Sequence, residues 1–319
     1  MSAMPEVTVV IPTRDRATRL AAALEALRAQ TIEPERFEVV VVDDGSTDGT
    51  REFLARASDG GAPDVRAIRL SGNGPAAARN AGWRAARAPL IAFSDDDCEP
   101  TPTWLESIIS AAAANPGAIV QGATAPIPRE SGLLTRPFAR TRRIDGPSPW
   151  FATCNIAYPR ELLERLNGFD ELFPEALGED TDLGWRAIEA GAPVEFAPSA
   201  VVHHAVEDLG AAGHMRHALR GADAVYAFRR HPGLRARTLR FGVFRNPALA
   251  RLALALAGIL LARRSRIAWV LVLPYTRSLL GRALATDGGP ALVPYLVAYD
   301  LVQAYTSVRG SIRHRTLVL

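Results

Sequence analysis

Four times in its first hundred residues the chain passes through a short, strand-like and mostly apolar stretch and then into a polar turn. The stretches cover residues 6–12, 37–43, 65–70 and 90–93, and helix-forming runs at 17–29, 50–56 and 76–88 separate them. Strands that read apolar at every position, rather than at alternate ones, are covered on both faces, which is the environment of a parallel sheet. Strands alternating with helices at this spacing form βαβ units. The chain is therefore expected to be an α/β protein with a mostly parallel central sheet flanked by helices. At 319 residues and 48% hydrophobic content it can build one large core or two modest ones.

In such a sheet ligands bind outside the carboxyl ends of the strands. Pro12 and Thr13 fall at the first such end, Asp43-Asp44-Gly45 at the second and Asp95-Asp96-Asp97 at the fourth. Taken singly, Asp-Gly and an acidic run before Pro100 are ordinary turns. Together they give a rim that topology gathers into one crevice. Three successive carboxylates repel one another and call for a cation, and a hard divalent ion, Mg²⁺ or Mn²⁺, would bring a phosphate-bearing ligand. Arg79, on the helix at the same edge, offers a second positive group. Neither G-x-G-x-x-G nor G-x-x-x-x-G-K-[ST] occurs, so a metal-bridged diphosphate is expected rather than one cradled by backbone amides.

The segments Val9-Val-Ile-Pro-Thr-Arg-Asp, Val40-Val-Val-Asp-Asp-Gly-Ser-Thr-Asp-Gly-Thr, Ala78-Arg-Asn-Ala-Gly and Ala92-Phe-Ser-Asp-Asp-Asp, in this order and spacing, resemble the family 2 glycosyltransferases of the GT-A fold. The resemblance implies a GT-A sheet followed by a C-terminal helical extension. It implies inverting transfer of a sugar from a nucleoside-diphosphate sugar donor to a hydroxyl. Pro12, Thr13, Asp44, Arg79, Asp95 and Asp96 would line the donor nucleotide site. Asp95 and Asp97 would be the ends of the DxD metal motif, with Asp97 the direct ligand.

Further along, Gly178-Glu179-Asp180-Thr181-Asp182 opens a helix that stops near Gly191. Acids in a first helical turn are stabilised by the helix dipole, which is a sufficient structural reason for them. The resemblance adds a role: Glu179-Asp180 matches the ED motif, which makes Asp180 the general base, with Glu179 beside the acceptor. Trp185 is expected against an acceptor sugar or in the core. Asn155, polar inside an apolar run, is expected to be an acceptor-site group or a hydrogen-bonded core residue. A strand over 194–204 ends in His203-His204, and the family places a further metal ligand there, for which His204 has the better register.

All 37 basic residues are arginine, and they are unevenly placed. Residues 1–204 carry 20 of them against 29 acids, whereas 205–319 carry 17 against 5. We expect a catalytic domain over 1–208, with a nucleotide half at 1–100 and an acceptor half at 101–208, and a basic helical region over 209–319. The apolar runs within 245–282 are too short to span a bilayer. They suit peripheral contact with an anionic membrane or, alternatively, a lid or a homodimer surface. No nucleic-acid motif is present. Two cysteines without metal spacing and the absence of a signal-like N-terminus fit the cytoplasm, on the inner face of the cell membrane. The acceptor is then expected to be a saccharide or a lipid-linked saccharide. The rival readings are a nucleotidyltransferase, which lacks its glycine-rich triphosphate loop here, and a non-catalytic sugar-nucleotide-binding membrane protein, which would not need intact DxD and ED motifs.

Overall fold

The computed structural model describes residues 4–57, 63–173, 177–222 and 224–319. They divide into two compact units, one of residues 1–129 and 141–205, the other of 130–140 and 206–319.

The first unit is built on an eight-stranded sheet. In chain order it contains β1 (Val7–Thr13), α1 (Ala17–Arg28), β2 (Phe37–Asp43), α2 (Thr50–Ala57), β3 (Asp64–Arg69), α3 (Pro75–Ala85), β4 (Leu90–Phe93), β5 (Cys98–Pro100), α4 (Trp104–Ala114) and β6 (Ile119–Pro126). After β7 (Ala139–Arg140), which lies in the second unit, come β8 (Ile156–Pro159), α5 (Arg160–Leu166), α6 (Glu179–Glu189) and β9 (Val194–His204). The strand order is β3-β2-β1-β4-β8-β6-β9-β5. Strands β3, β2, β1 and β4 run parallel, β8 opposes β4 and β6, β9 runs parallel to β6, and β5 opposes β9.

The apolar pattern explains this layout. Val7, Val9 and Val10 of β1 and Val39 to Val42 of β2 are fully buried, as central strands with helices on both faces must be. In edge strand β3, by contrast, only Val65 is buried. Helix α3 lies so close to the sheet that a Cβ on Gly82 would come 2.3 Å from Val10 Cγ1. The parallel order β3-β2-β1-β4 places the ends of β1, β2 and β4 side by side, and those ends carry Thr13, Asp44 and the triple-aspartate turn.

The second unit pairs β7 with β10 (Glu207–Asp208) in a two-stranded ribbon. It continues through α7 (Gly210–Leu219), α8 (Val225–Arg230), α9 (Pro232–Thr238), α10 (Pro247–Leu261), α11 (Leu273–Leu284) and α12 (Val293–Arg313). Leu249, Leu252, Ala255, Tyr275 and Leu279 form its apolar core. Residues 130–140, which the sequence reading placed in the acceptor half of the first domain, are grouped with this unit.

Candidate active site

The triple-aspartate turn is tied to both of its neighbouring strands. Cys98 N–H donates to the Asp95 carbonyl at 3.2 Å, closing the turn between β4 and β5. The Thr13 hydroxyl, at the end of β1, donates to Asp96 Oδ2 at 2.7 Å. Arg16 Nη1 donates to Asp97 Oδ2 at 2.8 Å and lies 3.5 Å from Asp96 Oδ1. Burial pushes the Asp96 carboxyl up to about 7, against the opposing charge of Arg16. Asp96 is therefore a structural hub of the rim, held by Thr13 and Arg16.

Asp97 faces β9. Its Oδ1 lies 3.7 Å from His204 Nε2. His204 Nδ1 sits 2.9 Å from the Ala205 carbonyl oxygen. A carbonyl only accepts, so in its neutral form the ring carries its proton on Nδ1 and presents the Nε2 lone pair to Asp97. Two electron-pair donors then face each other across a gap of metal-ligand size, and the backbone carbonyl on the far side of the ring is the usual outer support of a ligating imidazole. Cys98 Sγ completes the cluster, with the three ligand atoms within 4.8 Å of one another. Burial holds its thiol well above the ordinary range, so it stays protonated beside the pair. A carboxylate with an imidazole fits a divalent ion such as Mn²⁺. Asp95 is not in this cluster, contrary to its expected role as a ligand. Its Oδ1 accepts from Arg79 Nη2 at 3.0 Å instead.

Arg79 carries the rim across to α6. It is 4% exposed, and its Nη1 donates to Glu179 Oε1 at 2.9 Å while Nη2 holds Asp95. Glu179 is pushed up to about 7 by burial and by the charge of Asp180, with Arg79 opposing both. Its second carboxylate oxygen, Oε2, is buried without a hydrogen-bond partner. Asp180 is half-buried, and Oδ1 accepts the Thr181 N–H at 2.7 Å. Burial raises its pKa, and the charges of Arg142 and Arg79 oppose the shift. A single guanidinium thus links the turn after β4 to the first turn of α6.

On the other flank, Asp44 accepts from the backbone N–H groups of Asn73 at 2.7 Å and Gly74 at 2.9 Å. Each oxygen takes one bond, so the carboxylate cinches the loop after β3 and keeps acceptor capacity on both atoms. Pro12 sits in the ladder opposite Val42, one residue before Thr13.

For Asn155 and Trp185 the structure favours the core alternative. Asn155 is 1% exposed, its Nδ2 donates to the Ala123 carbonyl at 2.7 Å and the Ala200 carbonyl at 2.8 Å, and its Oδ1 accepts from Trp104 Nε1 at 2.8 Å. Every polar atom of the side chain is used inside the sheet, so it is a core residue. Trp185 is 6% exposed and donates from Nε1 to the Pro149 carbonyl at 3.0 Å, so it packs α6 rather than a sugar. Glu179 is also buried, and it reaches Arg79 rather than open space.

Three residues were not singled out by the sequence. Arg16 and Arg142 are ordinary arginines until the fold sets them beside Asp97 and Asp180. Trp150 is 41% exposed, and its carbonyl accepts from Thr181 Oγ1 at 2.9 Å, next to the candidate base.

A mostly parallel sheet with an acidic turn after its fourth strand, facing a histidine across the sheet and an acid pair on a later helix, is the layout of a GT-A glycosyltransferase. Sequence profiles agree: "Glycosyl transferase family 2" matches residues 8–166 and "Glycosyl transferase family group 2" residues 91–281. The chain belongs to glycosyltransferase family 2. Among curated relatives it is similar to a validoxylamine A glucosyltransferase of Streptomyces hygroscopicus subsp. limoneus, 33% identical over 60% of this chain and 50% of that one. It is also similar to the pre-mycofactocin glycosyltransferase of Mycobacterium tuberculosis, 31% identical over 62% of this chain and 42% of that one. The chain thus spans about half the length of the curated relatives it matches. Its fold is like that of the mannosyltransferase PcManGT from Pyrobaculum calidifontis in complex with GDP-Man and Mn²⁺, with a TM-score of 0.65 at 22% identity, covering 98% of this chain and 88% of that one.

Proposed function

We propose that the chain is a metal-dependent, inverting glycosyltransferase that moves a sugar from a nucleoside-diphosphate sugar to a hydroxyl of a saccharide or lipid-linked acceptor, in the synthesis of cell-envelope polysaccharide or glycolipid. One observation carries the reading: Arg79 bonds both Asp95 and Glu179, so the acidic turn and the helix bearing Asp180 meet although they lie far apart in sequence.

Asp97 and His204 would hold Mg²⁺ or Mn²⁺, which, when bound, neutralises charge building on the diphosphate leaving group. Thr13 and Asp44 position the nucleoside end of the donor, Asp44 through the acceptor capacity left on its oxygens. Asp95 and Arg79 fix the rim between donor and acceptor. Asp180 takes the proton of the acceptor hydroxyl as the new C–O bond forms. Attack from the face opposite the leaving group inverts the anomeric centre. With Asn155 and Trp185 assigned to the core, we place the acceptor sugar at Trp150, a partly exposed aromatic residue whose carbonyl is bonded to Thr181, next in sequence to Asp180. The mannosyltransferase that shares the fold is a complex with GDP-Man and Mn²⁺, which supports this donor class.

Calorimetric titration of nucleoside diphosphates and their sugars, with and without Mn²⁺, tests the metal assignment. Binding that needs Mn²⁺ and weakens at least about tenfold in Asp97→Ala and His204→Ala is expected. Equal affinity with and without Mn²⁺ in the parent chain would overturn it.

A further inference from the structure

The corner between α10 and α11 exposes apolar side chains that the fold does not need. Helix α10 is apolar on two sides. Leu249, Leu252, Ala255 and Gly258 point into the core of the second unit, while Leu256, Ile259 and Leu260 face outward. The outward face runs on into the 3-10 segment Arg266–Val272 and the start of α11, where Ile267 is 80% exposed and Trp269 54%. The corner is well packed beneath this surface: a Cβ on Gly258 would lie 2.9 Å from Leu271 Cβ. An apolar helix face left uncovered on a packed scaffold marks an interaction surface.

The charges around it say what covers it. Arg263, Arg264 and Arg266 are exposed at the tip. From Arg245 to Thr286 the sequence has seven arginines and no acid. A second copy would set this cluster against itself across a two-fold axis, with no carboxylate in the stretch to answer it. Nucleic acid would answer the arginines and leave the leucines, Ile267 and Trp269 without an apolar partner. An anionic bilayer answers both: headgroup phosphates take the guanidinium groups, acyl chains take the aliphatic side chains, and an indole favours the boundary between them. Among the described residues no helix is long and apolar enough to cross a membrane. We infer that the α10–α11 corner docks in the plane of an anionic lipid surface, with Leu260, Ile267 and Trp269 inserted and Arg263, Arg264 and Arg266 at the headgroups.

This inference does not rest on the donor chemistry proposed above, and its test does not read activity. The chain is sedimented with vesicles of phosphatidylcholine alone and of phosphatidylcholine with about one third phosphatidylglycerol. Binding to the anionic vesicles is expected, falling steeply with salt and at least about tenfold weaker on the neutral ones. Changing Arg263, Arg264 and Arg266 together to Gln is expected to lower the partition coefficient about a hundredfold. The double variant Ile267→Ser with Trp269→Ser, both at exposed positions, is expected to lose binding while keeping its circular dichroism and melting temperature. No binding to either vesicle, or equal binding to both, overturns the inference. So does a dimer in sedimentation equilibrium that the Ile267→Ser, Trp269→Ser variant converts to monomer, because the face would then belong to a second copy.

Discussion

Asp180 is the residue whose environment fits its proposed task most closely. Burial raises its pKa, which strengthens it as a base. Asp180→Asn keeps the shape and removes the base, so transfer should fall by about 10² to 10⁴ while calorimetry shows unchanged donor affinity. The pH profile gives a separate check. A raised folded pKa means the proton is lost later as pH rises, so the acid limb of kcat/KM should lie above the ordinary carboxylate range. Asp180 and Glu179 repel one another, and Glu179→Gln should move that limb to lower pH. A limb that does not move would separate Glu179 from the base. Trp150→Ala should raise the acceptor KM by roughly three- to tenfold with donor affinity intact, as loss of one stacking face predicts. At this scale the sequence singles out residues where chemistry demands a type at a strand end or helix start, as for Thr13, Asp97 and Asp180. It left two alternatives open at Asn155 and Trp185, because a polar atom's partners are set by segments that meet only in three dimensions. The same reason hid Arg142.

Among the elements, α6 bears the most functional load and is seated with the least slack. A Cβ on Gly184 would lie 2.1 Å from Phe151 Cγ, so the helix can approach only because this residue has no side chain. Gly184→Ala should therefore destabilise the chain by about 1–3 kcal/mol in thermal unfolding, despite the better helix propensity of alanine. It should also lower kcat, since the clash lies four residues from Asp180 in the same helix. If the variant gains stability, the helix is not packed as described. The parallel strands β1, β2 and β4 were legible because buried parallel strands are apolar at nearly every position. Strand β5 was not, because Cys98–Pro100 is too short to show a period, and β8, Ile156–Pro159, is only the end of the longer strand-like run 150–158. Their pairing with β9, and with β4 and β6, comes from the sheet closing around them.

For the whole molecule, sequence composition placed a change of character near residue 205 but could not show that a piece of the earlier chain goes with the later part. Residues 130–140 are held by the second unit: Glu130 Oε2 accepts from Val206 N–H at 2.8 Å, β7 pairs with β10, and the Thr135 carbonyl accepts from Asp287 N–H at 2.9 Å. These partners are spread from Val206 to Asp287, so no single break in composition marks them. A chain cut after residue 208 would keep the Val206 bond and the ribbon but lose the N–H groups of Leu209 and Asp287, which donate to the carbonyls of Phe138 and Thr135. Loss of such partners turns an ordered segment into one that opens locally. Limited trypsin digestion, followed by mass spectrometry of the products, should therefore cleave the 1–208 fragment after Arg140 at least about tenfold faster than the 319-residue chain. Equal cleavage rates would mean that the bonds from Leu209 and Asp287 do not order the segment.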